Sequence, residues 1–315
     1  MSVPQLADFF LYLFREKALA PATVDGYRSA IANTLARSGS THIGPSPELS
    51  ALLRSFHTER PRTASLVPAW DLSVVLYTLQ GAPFEPLGST SLRWLTLKTV
   101  FLITLASGAR RSEVHALSSK VTWGPEYSYA RLRPVLGFLR KNQRPNQPPD
   151  TLILPALAPL LAPDMARDRS LCPVRALRYY LRRSSTFRGD RRRLFISFRT
   201  DFHKEIAAQT ISTWLKLTVK ECYSLVEDHR PDVLPLANVR AHEIRALASS
   251  WSHFNHVGLD HILEAATWRS PTVFTNHYLR DCSAFEDDLH RLSFVAARSA
   301  SLRKPAEDPG APRRV

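Results

Sequence analysis

The side chains of this chain that can do chemistry stand far apart: Arg110, Lys141, His242, Arg245, Trp268 and Tyr278. The arginines and the lysine neutralise phosphate charge. The histidine and lysine move protons, the indole N–H donates a hydrogen bond, and the phenol is a latent nucleophile. Together they meet the needs of a metal-free attack on a DNA phosphodiester, because fixed cations supply the charge neutralisation that a metal ion otherwise provides. A free phenol has a pKa near ~10, so Tyr278 needs a base or dense positive charge around it.

In "LASGARRSEVHAL" a small-residue turn delivers Arg110 to the start of a helix. Glu113 follows on the same face, placed to steady the guanidinium, and the helix start with the arginine makes a seat for phosphate. In "VRAHEIRALASSW" His242 and Arg245 stand at i and i+3, so both project from one helical face toward the same anion. "ATWRSPTVFTNHYLRD" then brings Trp268 and Tyr278. Singly, a basic turn, an HxxR pair and a pair of aromatics are ordinary surface and core. Their joint occurrence carries the functional reading.

The elements that must position these groups are mostly helical. Apolar spacing predicts helices over Leu6–Phe14, from about Thr23 with Val24, Tyr27, Ile31 and Leu35 on one face, and over Pro47–Phe56. The proline-rich "HTERPRTASLVPAW" reads as a linker, which sets a small helical unit over 1–60, a linker over 61–69 and a larger unit over 70–298. In the larger unit Asp71 caps a helix through Val75 to Leu79, and a buried helix runs from about Ser91 to Ala106. A third carries Glu113 and Leu117. Residues 121–155 change period: "YSYARLRPVLGFLRK" and "TLILPAL" read as strands joined by the turn "NQRPNQPPD". Helices resume at Pro173 and include "PVRALRYYLRRS", "AQTISTWLKLTVKECYSL" and a long run from Val239, and the tail over 299–315 reads as disordered. The fold class is therefore mainly α (α+β), with one small antiparallel sheet.

Composition narrows the partner. Hydrophobic content of 44% with 22% charged residues excludes wholesale disorder. Lys and Arg total 42 against 28 acids, a net charge of +14 that points to a polyanion, most simply nucleic acid. Cys172, Cys222 and Cys282 lack CxxC spacing and read as reduced thiols. No stretch is long and apolar enough to suggest a membrane span, so a soluble intracellular protein is expected. His253, His256 and His261 share a segment, with His253 and His256 on one helix face, yet no cysteine or carboxylate pair completes a metal site. The acids from Glu286 to Asp288 read as the opening of a C-terminal helix. No GxxxxGK[ST] occurs, so ATP is not implied, and because cations already do the neutralising neither a metal nor another cofactor is expected.

"GARRSE", "HEIR" and the "W…Y" pair resemble box I, box II and the tyrosine motif of the tyrosine recombinase (phage integrase) family. The wording of "LFREKALAPATVDGYRSAI", "LCPVRALRYYL" and "AATWRSPTVFTNHYLRD" is similar to recombinases of DIRS/Ngaro-type retrotransposons. By this resemblance Arg110 matches the first catalytic arginine and Glu113 its supporter. His242 and Arg245 match box II, Trp268 a position held by histidine or tryptophan, and Tyr278 the nucleophile. Lys141 matches the lysine after the second strand, with Arg140 and Arg144 as rival cations in a long turn. The Trp268–Tyr278 spacing is one residue longer than the family's, and Ala266 and Thr267 replace its usual Leu-Gly.

The resemblance implies a SAM-like DNA-binding domain over 1–60, a catalytic domain over 70–298, and strand cleavage and rejoining through a 3′-phosphotyrosine. It also implies a double-stranded DNA partner, work in the nucleus for a mobile element, and a homotetramer on two DNA sites built through the C-terminal helix (Phe285, Leu289, Leu292, Phe294). Polarity and position nominate Thr23, Tyr27 and Arg28 on one helix and Gln209, Thr210, Thr213 and Lys216 on another as DNA contacts, with Arg111, Arg140 and Arg144. Two rivals stand beside the enzyme: an inactive, recombinase-derived DNA-binding protein and a metal-dependent nuclease.

Overall fold

The buried helix expected after Ser91 is the axis of the larger unit. Its neighbours explain why the reactive residues can meet. The computed structural model describes residues 2–39, 46–61, 68–140, 151–157, 166–199, 205–227, 236, 239–266, 268 and 270–282. The chain divides into two compact units, Met1–Ala64 and Ser65–Val315.

The first unit holds α1 (Val3–Arg15), α2 (Pro21–Arg37) and α3 (Pro47–Glu59). Ser2 and Gln5 form a reciprocal capping box at the start of α1, and Ser46 caps α3. Leu6, Phe10, Leu13, Phe14, Val24, Leu49, Leu53 and Phe56 make the core, with Phe14 and Phe56 stacked at 4.1 Å. Of the apolar face expected on α2 only Val24 is fully buried, while Tyr27 is exposed and meets Phe9 edge-on.

In the second unit Asp71 caps α4 (Leu72–Thr78) and Ser91 caps α5 (Leu92–Ser107). Thirteen of the sixteen residues of α5 are buried, so its polar side chains must be satisfied within the protein. Thr96, Thr99, Thr104 and Ser107 each donate to the carbonyl four residues back. Lys98, wholly buried, donates to the Leu79 carbonyl and to Glu85 Oε1, both at 2.6 Å, and Arg175 forks onto both oxygens of the same carboxylate. Around α5 pack α6 (Arg111–His115), α8 (Pro173–Arg188), α9 (Ala208–Glu227) and α10 (Glu243–Phe254). Ala166–Leu171 forms the short α7 before α8.

The sheet is three-stranded and antiparallel, β1 (Leu117–Trp123), β2 (Tyr129–Pro134) and β3 (Leu152–Pro155), in that order. Ala130 and Leu132 point inward and pair with Leu154 and Leu152. The elements flanking the sheet differ from the expected ones at two places. The helix carrying Glu113 stops at His115, and Leu117 opens a strand because its carbonyl accepts from the Leu194 N–H at 2.7 Å. The second strand stops at Pro134, because Val135–Phe138 folds into a turn with Gly137 at φ +82°.

The long helical run expected from Val239 is also broken, into α10, α11 (Leu259–Ala265) and α12 (Pro271–His277). His256 lies past the end of α10 at φ +59°, so it does not share a helix face with His253. No group of His, Cys, Asp or Glu among the described residues is arranged to hold a metal ion, and no described helix is long and apolar enough to cross a membrane. All three cysteines are free and buried. The expected C-terminal helix and tail lie outside the described residues.

Candidate active site

Gly108 is where the site begins. It caps α5 in the left-handed region, at φ +58°, where an L side chain is strained. Ala109 follows, its N–H donating to Ser107 Oγ, and Arg110 becomes the N-cap residue of α6. Glu113 is buried and accepts from the Arg110 backbone N–H at 2.8 Å and from Arg110 Nη1 at 2.9 Å. The supporting role expected for Glu113 thus has a definite geometry, a carboxylate that fixes both the start of the helix and the guanidinium.

Arg110 lines a cavity of about 410 Å³ whose other walls come from α9, from the approach to α10 and from the end of α12. His242, Arg245 and Tyr278 line it as well, joined by Arg111, Lys216 and Arg240. Among the described lining residues five are cationic and none is a carboxylate. With Glu113 offsetting part of that charge through Arg110, the hollow keeps a positive surplus that suits an anion.

The same imbalance shows in a single side chain, Arg245. It is 4% exposed, and burial, then repulsion from Arg110, lowers its pKa to about 10. One terminal N–H donates to the Ala266 carbonyl, while Nε is buried with no hydrogen-bond partner among the described residues. Its guanidinium carbon lies 4.8 Å from the Trp268 ring centroid and 5.6 Å from that of Tyr278.

His242 is the N-cap residue of α10 rather than a member of its first turn, so it reaches solvent at the rim while Arg245 lies within. The cavity walls still desolvate the imidazole, and that is the largest influence on it. Glu243 opposes this, but Arg240, Arg280 and Lys216 add to it, and the pKa falls below the ordinary 6.5. The ring is therefore neutral at pH 7 and able to accept a proton.

Tyr278 ends α12, half-buried, with its ring tilted against Trp268 at 4.4 Å between centroids. Ser250, on α10, ties the backbone at and just after it: its Oγ donates to the Tyr278 carbonyl (2.9 Å) and accepts from the Arg280 N–H (2.8 Å). Sequence reading missed Ser250, since a lone serine five positions after Arg245 carries no signal. Arg240 was also missed, although its place two residues before His242 was visible.

Trp268 lies behind the cavity lining rather than in it. It is 8% exposed and is not part of the cavity wall. It packs against Arg245, Tyr278 and Phe274 and, with Ile262 and Ala266, builds a small satellite core beneath the tyrosine. Its aromatic bulk positions the tyrosine and the arginine, and the role of phosphate donor has no support from this placement.

Lys141 and Arg144 lie outside the described residues. Arg140, half-buried, is near enough to depress the Arg245 pKa further. Among the nominated DNA contacts, Arg111 donates to Gln209 Oε1 at 2.6 Å, and both line the cavity with Lys216. Thr210 and Thr213 line a neighbouring groove that shares Gln209. Thr23 and Tyr27 are exposed on α2, whereas Arg28 reaches to Ser50 Oγ on α3 at 2.8 Å. No protein-family model matches the chain, and no curated protein matches it.

Proposed function

We propose that this chain is a tyrosine recombinase, cleaving and rejoining double-stranded DNA through a covalent 3′-phosphotyrosine at Tyr278. The observation that carries the reading is the meeting of Arg110, His242, Arg245 and Tyr278, from well-separated parts of the sequence, on one acid-free cavity. A phosphodiester entering it brings negative charge to a wall where, of the five cations, Arg110 is paired with Glu113 behind it. Arg110 and Arg245 hold the non-bridging oxygens, and their grip strengthens as charge accumulates on them in the transition state. Tyr278 loses its proton, with His242 as the neutral acceptor at hand, and its oxygen bonds to phosphorus as the bond to the 5′-oxygen breaks. The departing 5′-oxygen takes up a proton, by resemblance from Lys141. Rejoining reverses these steps and conserves the phosphodiester, so no nucleotide is consumed. The same reading extends to integration of a mobile element, to the nucleus as workplace and to assembly of four copies on two DNA sites.

A pool of nicked duplexes of randomised sequence, incubated with the chain in EDTA and resolved under denaturing conditions, tests the proposal. A covalent protein–DNA adduct that Tyr278→Phe abolishes is the expected result. Duplex binding without an adduct makes the chain a non-catalytic DNA-binding protein, and cleavage only after adding magnesium makes it a nuclease.

A further inference from the structure

Among the described large apolar side chains Leu136 is the most exposed, at 93%. It stands at the tip of the turn Val135–Phe138, which is closed by the Phe138 N–H on the Val135 carbonyl (3.3 Å) and made feasible by Gly137 at φ +82°. The turn is not loosely attached. β2 leads into it, and the Val135 N–H donates to the Ala116 carbonyl at 2.7 Å. An arm hydrogen-bonded at its base therefore holds a leucine in water, with Leu139 half exposed behind it.

Its surroundings identify what would cover that leucine. Along the described chain from Tyr127 to Arg140 stand Arg131, Arg133 and Arg140 and no acid, so the partner is a polyanion with an apolar interior. Ala116, to which the base of the arm is bonded, closes the short α6 whose opening residues Arg110 and Arg111 line the cavity, so the arm stands one short helix away from it. A base stack beside a phosphate has this composition. A membrane surface also combines anionic charge with an apolar interior, but its hold scales with buried apolar area, and two leucines on a turn offer little.

We propose that Leu136 is a wedge that inserts between stacked base pairs of a duplex seated at the cavity and opens the step beside the bound phosphate. This rests on the DNA reading above and adds how the duplex is deformed. Apolar wedges of this kind part base steps and kink the helix, which brings more of the duplex against the protein.

The test uses the full chain and a duplex selected from a randomised pool by binding to it, with 2-aminopurine placed in turn along each strand. Binding of the wild-type chain raises fluorescence at one step, and Leu136→Met preserves the rise. Leu136→Ser abolishes the rise and slows adduct formation by roughly tenfold, reflecting the lost help with unstacking. A mismatch at that step, where the base pair is already broken, restores the rate to Leu136→Ser. A fluorescence profile unchanged by Leu136→Ser, with an adduct still formed, overturns the wedge and leaves the DNA reading intact. Failure to recover any duplex, with Leu136-dependent binding to anionic phospholipid vesicles instead, overturns both.

Discussion

Arg245 sets the character of the cavity because it is a cation that water barely reaches. Removing one preorganised donor of this kind ordinarily costs ~3 kcal/mol in the transition state, so Arg245→Ala is expected to slow adduct formation roughly 10²–10³-fold. Arg245→Lys should recover little, because a single ammonium does not reproduce the planar fork. Initial rates on nicked duplex, compared at equal folded fraction, measure both. His242 gives a pH test. Its pKa lies below 6.5, so the imidazole is neutral in folded and unfolded chains above that value and pH does not act through it there. Below 6.5 the unfolded chain binds the proton more readily, so this group's effect on stability is a loss as pH falls. An NMR titration should place its midpoint under 6.5, Glu243→Gln should move it lower, and Lys216→Ala should move it higher.

The element scale decides whether these side chains arrive at all. Gly108 ends α5 and turns the chain toward Arg110. A Cβ at this position meets nothing within 4 Å, so the cost of Gly108→Ala is that of the left-handed backbone alone, about 1–2 kcal/mol. Urea unfolding measures that loss, and a larger fall in adduct formation than in stability is expected, because Arg110 shifts with the turn. Behind α5, Glu85 balances Lys98 and Arg175. Burial pushes its carboxyl up, but Arg175 and Lys98 outweigh that and hold it below its usual range, while burial takes Lys98 down to about 8. Glu85→Gln leaves two cations facing each other and should cost ~3 kcal/mol, the lower end for a broken buried pair because Arg175 still reaches water. Denaturant midpoints check it. In the wild-type chain the stabilisation from Glu85 is present above the ordinary carboxylate pKa and is lost as pH falls through the lowered one.

Charge belongs to the whole molecule. With a net +14 and a cavity lined by cations, duplex binding should weaken steeply with salt, by roughly 10³–10⁵ between 50 and 200 mM if 6–10 phosphates are contacted. A fluorescence-anisotropy series over that range measures the slope, and EDTA should leave both binding and adduct formation unchanged. At this scale too, the sequence and the folded chain divide the explanation between them. The helical character of both units, the cap at Asp71, and the burial of α5 were legible because periodicity and capping act over a few residues. The extent of the sheet was not. Whether Leu117 continues a helix or opens a strand depends on Leu194, far along the chain, which supplies the hydrogen bond. Residue types and spacing nominated Arg110, His242, Arg245 and Tyr278, since the chemistry a side chain can do is fixed by its covalent structure. Only tertiary packing decided that they share a cavity, that Trp268 stands behind them and that Ser250 secures the tyrosine, because such contacts join segments whose separation in sequence says nothing of their distance in space.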